Sequence, residues 1–149
     1  MPKVTGALPG WLPLVNKIMT AVQRLGLPVG PVQILVVPGR ASGKPRETPV
    51  TPFAVDGRWY VAAALPGADW ARNIRAAGRG ELRQGRRVRA VLLPEVHDLE
   101  AKRAVMRNFP RAAPGGVSFY VRLGLVDGPD PEQFAAVADR VAVFEIRDA

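Results

Sequence analysis

The sequence predicts a mainly β protein, an antiparallel sheet closed as a small barrel with helices at its margins. Two observations carry this prediction. About seven short apolar or alternating segments are bounded by turn residues, and most follow one another as hairpins without a crossover helix. The length of 149 residues and the hydrophobic content of 48% fit one buried core. Residues 1–149 are therefore predicted to form a single domain.

The predicted strands are defined by β-branched and apolar runs. They span residues 32–37, 48–55, 58–64, 81–83, 86–93, 117–125 and 141–146. Asp56-Gly57 and Gln84-Gly85 are hairpin turn signals. Pro49 and Pro52 place the second strand at an edge, at a bulge or where the backbone faces a ligand.

Three predicted helices have recognisable ends. Asp69 begins a helix over 70–77, which Gly78 closes in the manner of a C-cap. Asp98 caps a helix over 99–109 that is expected to end at Pro110. The third helix starts at Asp130-Pro131, with the spacing of a capping box from Asp130 to Gln133.

Residues 11–25 predict an N-terminal amphipathic helix, because apolar residues recur there at three- and four-residue steps. The helix either packs on the core or lies at a membrane surface as a peripheral contact. Only Lys17 and Arg24 decorate it, which favours packing. No secretory signal is visible and no apolar run approaches ~18 residues, so a cytoplasmic protein is expected.

Composition excludes several kinds of chemistry. The chain has no cysteine and one histidine, so thiolate nucleophiles, disulfides and clusters of His or Cys around a metal are ruled out. His97 lies in a charged stretch and is interpreted as a surface residue, not a general base. A self-sufficient hydrolase is therefore not expected. The formal net charge of +8 predicts an anionic partner.

The loop between the first two strands has the composition of an anion site. Arg40, Lys44 and Arg46 supply charge, Ser42 can donate a hydrogen bond, and glycines flank the loop. Farther along, the third strand ends in three alanines, which leaves room for a flat ligand against the sheet. Trp70 and Asn73 share a helix face and can cover and hydrogen-bond a planar heterocycle, although packing of Trp70 in the core is the alternative.

The order of these motifs resembles the deazaflavin-dependent nitroreductase family. The matching pattern is Gly39-Arg40-x-Ser42-Gly43-x-Pro45-Arg46-x-x-Pro49, then Asp56-Gly57, the alanine-ended strand and Trp70-x-x-Asn73, within residues 32–93. The family consists of split β-barrel proteins of actinobacteria, related to the FMN-binding, pyridoxamine-phosphate-oxidase-like barrels. The resemblance implies a split barrel that binds coenzyme F420, a 5-deazaflavin with a phosphate and an oligoglutamate tail. FMN is the alternative cofactor.

The resemblance also assigns the cofactor site residue by residue. The phosphate and tail would contact the basic loop, at Arg40, Ala41, Ser42, Gly43, Lys44 and Arg46. The deazaflavin would lie beside Thr48, Pro49, Val50 and Thr51, over the strand end Ala62, Ala63, Ala64 and Leu65, and under Trp70 and Asn73. Ala41 and Leu65 depart from the family, which often carries lysine at the first position and lysine or another polar residue at the second.

The implied reaction is hydride transfer from the reduced deazaflavin to a small electron-poor acceptor: a quinone, an enone or a nitro compound. Such a reaction needs a stacked acceptor and a proton source more than a nucleophile. Tyr120 is the candidate donor, with a packing role as the alternative. No metal is expected, and the resemblance implies a homodimer.

Two other functional classes stay open at this stage. The same barrel can carry a lipid, haem or flavin without turnover, which Ala41, Leu65 and the N-terminal helix favour. A nucleic-acid-binding barrel is suggested by five arginines on one hairpin. That hairpin has no aromatic side chain for base stacking, so a nucleic-acid partner is not expected. The arginines are Arg79, Arg83, Arg86, Arg87 and Arg89.

Overall fold

A computed structural model describes residues 32–149 of the chain. The helix predicted over 11–25 lies outside the described residues. The strands are β1 Gln33–Pro38, β2 Pro45–Val50, β3 Phe53–Val55, β4 Arg58–Ala63, β5 Arg79–Gln84, β6 Arg87–Leu92 and β7 Ala142–Asp148. The α-helices are α1 Asp69–Ala77, α2 Leu99–Ala112, α3 Val117–Arg122 and α4 Pro131–Ala136, with short 3-10 turns at Pro114–Gly116 and Ala138–Arg140.

The seven strands form one sheet in the order β2-β1-β5-β6-β7-β4-β3, and every pairing is antiparallel. The two edge strands, β2 and β3, are separated in the chain only by Thr51 and Pro52. Because two residues span only about 7 Å, the sheet must curl until its edges come together. The result is a half-barrel with helices beside it, which confirms the predicted antiparallel barrel class.

The sheet separates two hydrophobic clusters because strand side chains alternate between its faces. Val61 and Ala63 of β4 belong to the barrel core, where Ala71 and Ile74 of α1 also pack. Tyr60 of the same strand belongs to the helix-side core, which contains α2, α3 and α4 residues. The helix-side core includes stacked and edge-on contacts among Phe53, Phe109, Tyr120 and Phe134.

The predicted turns have the expected backbone. Asp56 and Gly57 both have positive φ, 51° and 78°, as a two-residue hairpin of the primed type requires. Gly78 caps α1 with φ 69°, and its amide donates to the Ile74 carbonyl. The second hairpin turn is shifted by one residue from its prediction, since β5 includes Gln84 and the turn is Gly85-Arg86.

The strand predicted over 117–125 is wrong, because residues Val117–Arg122 form α3. β-branched and aromatic residues favoured a strand there. Helical geometry instead places Tyr120 and Leu123, three residues apart, together in the helix-side core. Packing on that core outweighs a propensity difference that is below about 1 kcal/mol per residue.

Three smaller boundary predictions also change. The strand predicted over 48–55 is two strands, β2 and β3, and β2 is a sheet edge that tolerates its prolines. Pro110 does not end α2, which continues to Ala112 with Pro110 buried in the last turn. The capping box at Asp130 is one-sided: Asp130 accepts from the Glu132 amide at 2.9 Å, whereas Gln133 Oε1 accepts from the Asp127 amide.

Candidate functional site

The loop between β1 and β2 is folded tightly on itself. The Gly39 amide donates to the Lys44 carbonyl at 2.8 Å, and the Gly43 amide donates to the Gly39 carbonyl at 2.8 Å. Gly43 has φ 73°, a conformation that favours glycine. Ser42 Oγ accepts from the Lys44 amide at 3.2 Å, and its hydroxyl can still donate its own proton. The loop is thus shaped before any ligand binds.

Helix α1 holds this loop from the side. Asn73 is 5% exposed, and its Oδ1 accepts from the Arg40 amide at 3.1 Å and from Arg40 Nη1 at 2.9 Å. One turn earlier, Asp69 Oδ1 accepts from Arg40 Nη2 at 3.1 Å. These contacts fix both the backbone and the guanidinium of Arg40. Asn73 therefore positions the loop. The sequence predicted only that Asn73 would hydrogen-bond a planar heterocycle.

A polar cavity of about 430 Å³ opens between the loop and α1. Its walls carry cationic, acidic, hydroxyl and amide groups: Gly39, Arg40, Ala41, Ser42, Arg46, Glu47, Thr48, Asp69, Trp70 and Asn73. No carboxylate among residues 32–149 forms an ion pair with Arg46. Arg46 and Ser42 can therefore meet an incoming anion without first losing a charged partner.

An apolar cavity of about 230 Å³ adjoins the polar one, and Thr48 and Trp70 line both. Its other walls come from β2, β4 and the segment after β4, and from α2 and α3. They are Pro49, Val50, Thr51, Val61, Ala62, Ala64, Leu65, Ala68, Phe109, Ala113, Gly116, Phe119 and Tyr120. The two cavities make one cleft that is polar, with two guanidinium groups, at one end and apolar at the other.

Tyr120 is the buried polar group of the apolar end. It is 3% exposed, and its hydroxyl has no hydrogen-bond partner among the described residues. Its ring contacts Phe109 at 4.9 Å and Phe134 at 5.1 Å between centroids. Burial raises the pKa of the Tyr120 hydroxyl, so the group keeps its proton and is a hydrogen-bond donor.

Most of the predicted site residues meet in this cleft. The exceptions are Gly43, Lys44 and Ala63. Gly43 lines a different cavity, and the exposed Lys44 lines neither half of the cleft. Ala63 lies in the barrel core because it alternates with Ala62 and Ala64 along β4.

The helix-side wall of the cleft was missed from the sequence. Phe109, Ala113 and Gly116 approach β2 and β4 only in the folded chain. A Cβ at Gly116 would come within 2.8 Å of Phe109 Cζ, so the missing side chain permits this approach. Asp69 was identified only as a helix start. Its position four residues before Asn73 was the available signal that both face Arg40.

Two other expectations concern residues outside the cleft. His97 is exposed, as predicted. No group of three His, Cys, Asp or Glu side chains in the part of the chain that the structure describes is placed to hold a metal ion. No described helix is long and apolar enough to cross a membrane.

A curled antiparallel half-barrel with flanking helices places the chain in the split-barrel class of folds. Structural comparison agrees at the level of fold. A protein described as a domain-swapped dimer superposes with a TM-score of 0.55, at 17% identity, over 91% of this chain and 98% of its own. A structure described as an F420-H2 dependent reductase, FDR-A, gives a TM-score of 0.53 at 17% identity, over 79% and 95%.

A third solved structure links the fold to the wider barrel class. It is a Clostridium acetobutylicum protein described as belonging to the pyridoxinephosphate oxidase family. Its TM-score is 0.51 at 12% identity, over 93% of this chain and 83% of its own. No curated protein matches the chain.

The family is shown by the sequence itself. Residues 16–120 match the F420H(2)-dependent quinone reductase family, and the chain belongs to that family. It is therefore an oxidoreductase that depends on coenzyme F420, and the non-catalytic barrel is not the function. This confirms the predicted resemblance to F420-dependent split-barrel enzymes.

The residues of the cleft fit this cofactor chemically. Its phosphate and oligoglutamate tail are anionic, and the polar cavity has two guanidinium groups and a hydroxyl. Its ring system is flat, and the apolar cavity has an alanine-rich wall beside Trp70. Ala41 lines the polar cavity at the position where the related family often has lysine, so Arg40 and Arg46 carry the cationic role there.

Proposed function

We propose that this chain reduces a quinone with hydride from reduced coenzyme F420, using the cleft between the β1–β2 loop and the helix-side core. The observation that carries the proposal is the division of this cleft. A polar half with the guanidinium groups of Arg40 and Arg46 suits the cofactor's anionic groups, and an apolar half suits ring systems. The family match supports quinone over the enone and nitro acceptors.

Each half of the cleft has a separate role in the proposal. Arg40, Ser42 and Arg46 bind the phosphate and tail, while Asn73 keeps Arg40 oriented. Thr48 to Thr51, with Ala62, Ala64 and Leu65, form the walls against which the ring system lies. When bound, the reduced deazaflavin supplies the hydride.

The acceptor would occupy the remaining apolar volume near Phe119 and Tyr120. A quinone carbonyl gains negative charge as it accepts hydride, and a hydrogen-bond donor at that oxygen stabilises the charge. Tyr120 is the proposed donor, because its buried hydroxyl has no partner among residues 32–149. The apolar walls exclude water from the reacting atoms.

Variants of Arg46 and Trp70 test the cofactor site. We expect Arg46→Ala and Trp70→Ala each to weaken binding of coenzyme F420 severalfold or more, measured by quenching of deazaflavin fluorescence. Arg46→Ala removes a charged contact with the cofactor, and Trp70→Ala removes part of the wall that both cavities share. Matched controls are Arg86→Ala in the β5–β6 turn and Trp59→Ala, whose ring is 48% exposed outside the cleft.

The acceptor is tested with the wild-type chain and reduced coenzyme F420. Oxidation of the cofactor is followed with a naphthoquinone, an enone or a nitroheterocycle at equal concentration. The proposal expects the highest kcat/KM with the quinone. A preference for another acceptor would overturn the quinone assignment. For the cofactor site, unchanged affinity in both Arg46→Ala and Trp70→Ala would show that the site is misplaced.

The predicted homodimer, peripheral membrane contact and cytoplasmic location stay predictions. A solved structure of similar fold is described as a domain-swapped dimer, which supports the dimer. Sedimentation of the purified chain measures this directly. The membrane prediction rests on residues 11–25, outside the described part, and co-flotation with lipid vesicles tests it.

A further inference from the structure

Two acidic side chains, Glu47 and Asp69, line the polar cavity where the cofactor's anion is to bind, and Asp69 is the one that contacts Arg40. Asp69 lines the polar cavity, and its Oδ1 lies 3.1 Å from Arg40 Nη2. We propose that the Asp69 carboxylate occupies Arg40 in place of the cofactor's anion, and that cofactor binding displaces it. Asp69 would then set the affinity of the site for anionic forms of the cofactor. This inference rests on the proposed function, since it takes the same cavity as the cofactor site.

The geometry allows exchange at Arg40 without loss of its position. Arg40 Nη1 and the Arg40 amide are both bound by Asn73, which is buried. Only Nη2 points to Asp69. When the carboxylate leaves, the guanidinium therefore stays fixed on α1 while its Nη2 becomes free for another oxygen.

The exposure of the pair shows that it can be broken readily. The Asp69 side chain is 85% exposed, whereas that of Arg40 is 33% exposed. Ion pairs at such exposed positions contribute little to stability. A phosphate, through its non-bridging oxygens, or a tail carboxylate can replace Asp69 on Nη2 and also contact Ser42 and Arg46 in the same cavity.

The location of Asp69 offers a second role that the experiment must separate. Asp69 is the first residue of α1, and Ala68 before it provides no side-chain cap. An acidic residue in the first turn stabilises a helix through its dipole. If that were its whole contribution, neutralising Asp69 would lower stability without improving cofactor binding.

The test compares Asp69→Asn with the wild-type chain. Affinity for coenzyme F420 is measured by fluorescence quenching at low and high salt. We expect the variant to bind about threefold or more tightly at low salt, with the gain reduced at high salt because exposed charges are screened. Asp69→Glu keeps the charge and should behave as the wild type.

A control variant removes the same charge elsewhere. Glu132→Gln breaks an exposed pair with Arg107 on the helix side, at 3.0 Å, away from the polar cavity. It should leave cofactor affinity unchanged. Thermal melting of all variants shows that each is folded.

Three forms of the cofactor identify which anion displaces Asp69. They are the complete cofactor, the form without the oligoglutamate tail, and the deazaflavin riboside without phosphate or tail. A gain for both phosphate-bearing forms assigns the exchange to the phosphate, and a gain for the complete cofactor alone assigns it to the tail. The riboside should bind both proteins equally.

The outcomes separate this inference from the function on which it rests. Unchanged or weaker binding by Asp69→Asn, with normal wild-type binding, would overturn the displacement while leaving the cofactor site in place. An equal gain for the riboside would also overturn it. A wild-type chain that binds none of the three forms would overturn the proposed site and this inference together.

Discussion

Tyr120 combines an apolar setting with an unpaired polar group. Its hydroxyl is buried among Phe109 and Phe134 without a partner in the described part of the chain. A buried unsatisfied hydroxyl costs about 1–3 kcal/mol relative to a paired one. Such a cost at the wall of a cleft is consistent with a residue kept for function.

Replacing Tyr120 with phenylalanine separates the contribution of its hydroxyl to protein stability from its contribution to the reaction. We expect Tyr120→Phe to leave the free energy of unfolding unchanged or to raise it by about 1 kcal/mol, because no hydrogen bond to residues 32–149 is lost. We expect kcat/KM for the quinone to fall by about tenfold or more if the hydroxyl assists the acceptor. Stopped-flow oxidation of reduced cofactor measures the second effect, and equal rates would leave Tyr120 a packing residue.

The wild type and Tyr120→Phe are also expected to differ in stability at alkaline pH. Burial raises the pKa of folded Tyr120 above its ordinary value of 10.0. The free energy of unfolding is therefore insensitive to this group below pH 10 and falls as pH rises further, since the unfolded chain ionises first. Urea unfolding at pH 9 and pH 11 should show a larger loss for the wild type than for Tyr120→Phe.

Among the elements, helix α2 has a start that its N-cap, Asp98, sets, whereas the proline near its end does not stop it. Asp98 Oδ2 accepts from the Ala101 amide at 2.8 Å and satisfies one of the free donors at the helix start. At the other end, Pro110 lacks an amide proton, yet it is buried with Phe109 and the helix continues. Tertiary packing can thus extend a helix past a proline near its end, while the cap fixes where it begins.

Loss of this cap should be measurable. We expect Asp98→Ala to lower the free energy of unfolding by about 1 kcal/mol, because the Ala101 amide loses its acceptor. Chemical denaturation followed by circular dichroism measures the change. Asp98→Ser keeps a capping oxygen and should retain most of the stability, so equal losses in both variants would argue against capping.

Across the whole molecule, the barrel core and the helix-side core share the same strands. On β7, Val143 belongs to the helix-side core and Phe144 to the barrel core. On β4, Tyr60 and Val61 divide in the same way. Because each strand serves both faces, neither core can lose its packing without disturbing the other. The described part should unfold in one cooperative transition.

A large-to-small substitution in the helix-side core tests this coupling. Phe134 on α4 is fully buried and lies 5.3 Å from Phe109 between ring centroids. Phe134→Ala should cost about 3–5 kcal/mol, and Phe134→Leu should cost less because more volume is kept. Near- and far-ultraviolet circular dichroism should report coincident transitions in urea. Separate transitions would show that the two cores unfold independently.

The side of the cleft formed by the β1–β2 loop was predictable because its residues are close together in the sequence. Arg40, Ser42, Arg46, Thr48 and Trp70 lie within about thirty residues, and glycines and turn signals mark the loop and hairpin between them. The helix-side wall was not predictable, since Phe109 and Gly116 reach the cleft only after α2 packs on β3. Tyr120 was predicted on a strand as a candidate donor, whereas the structure places it on α3, where it lines the apolar cavity.

By itself, the sequence determined the antiparallel barrel class, the Asp56-Gly57 turn, the ends of α1 and the basic loop, because each depends on neighbouring residues. Tertiary structure alone decided that 117–122 is helical, that Ala63 faces the barrel core and that Asn73 and Asp69 bind Arg40. The physical reason is distance along the chain. Burial and hydrogen bonds between residues of different elements outweigh local propensities, and no local pattern encodes which partners will meet.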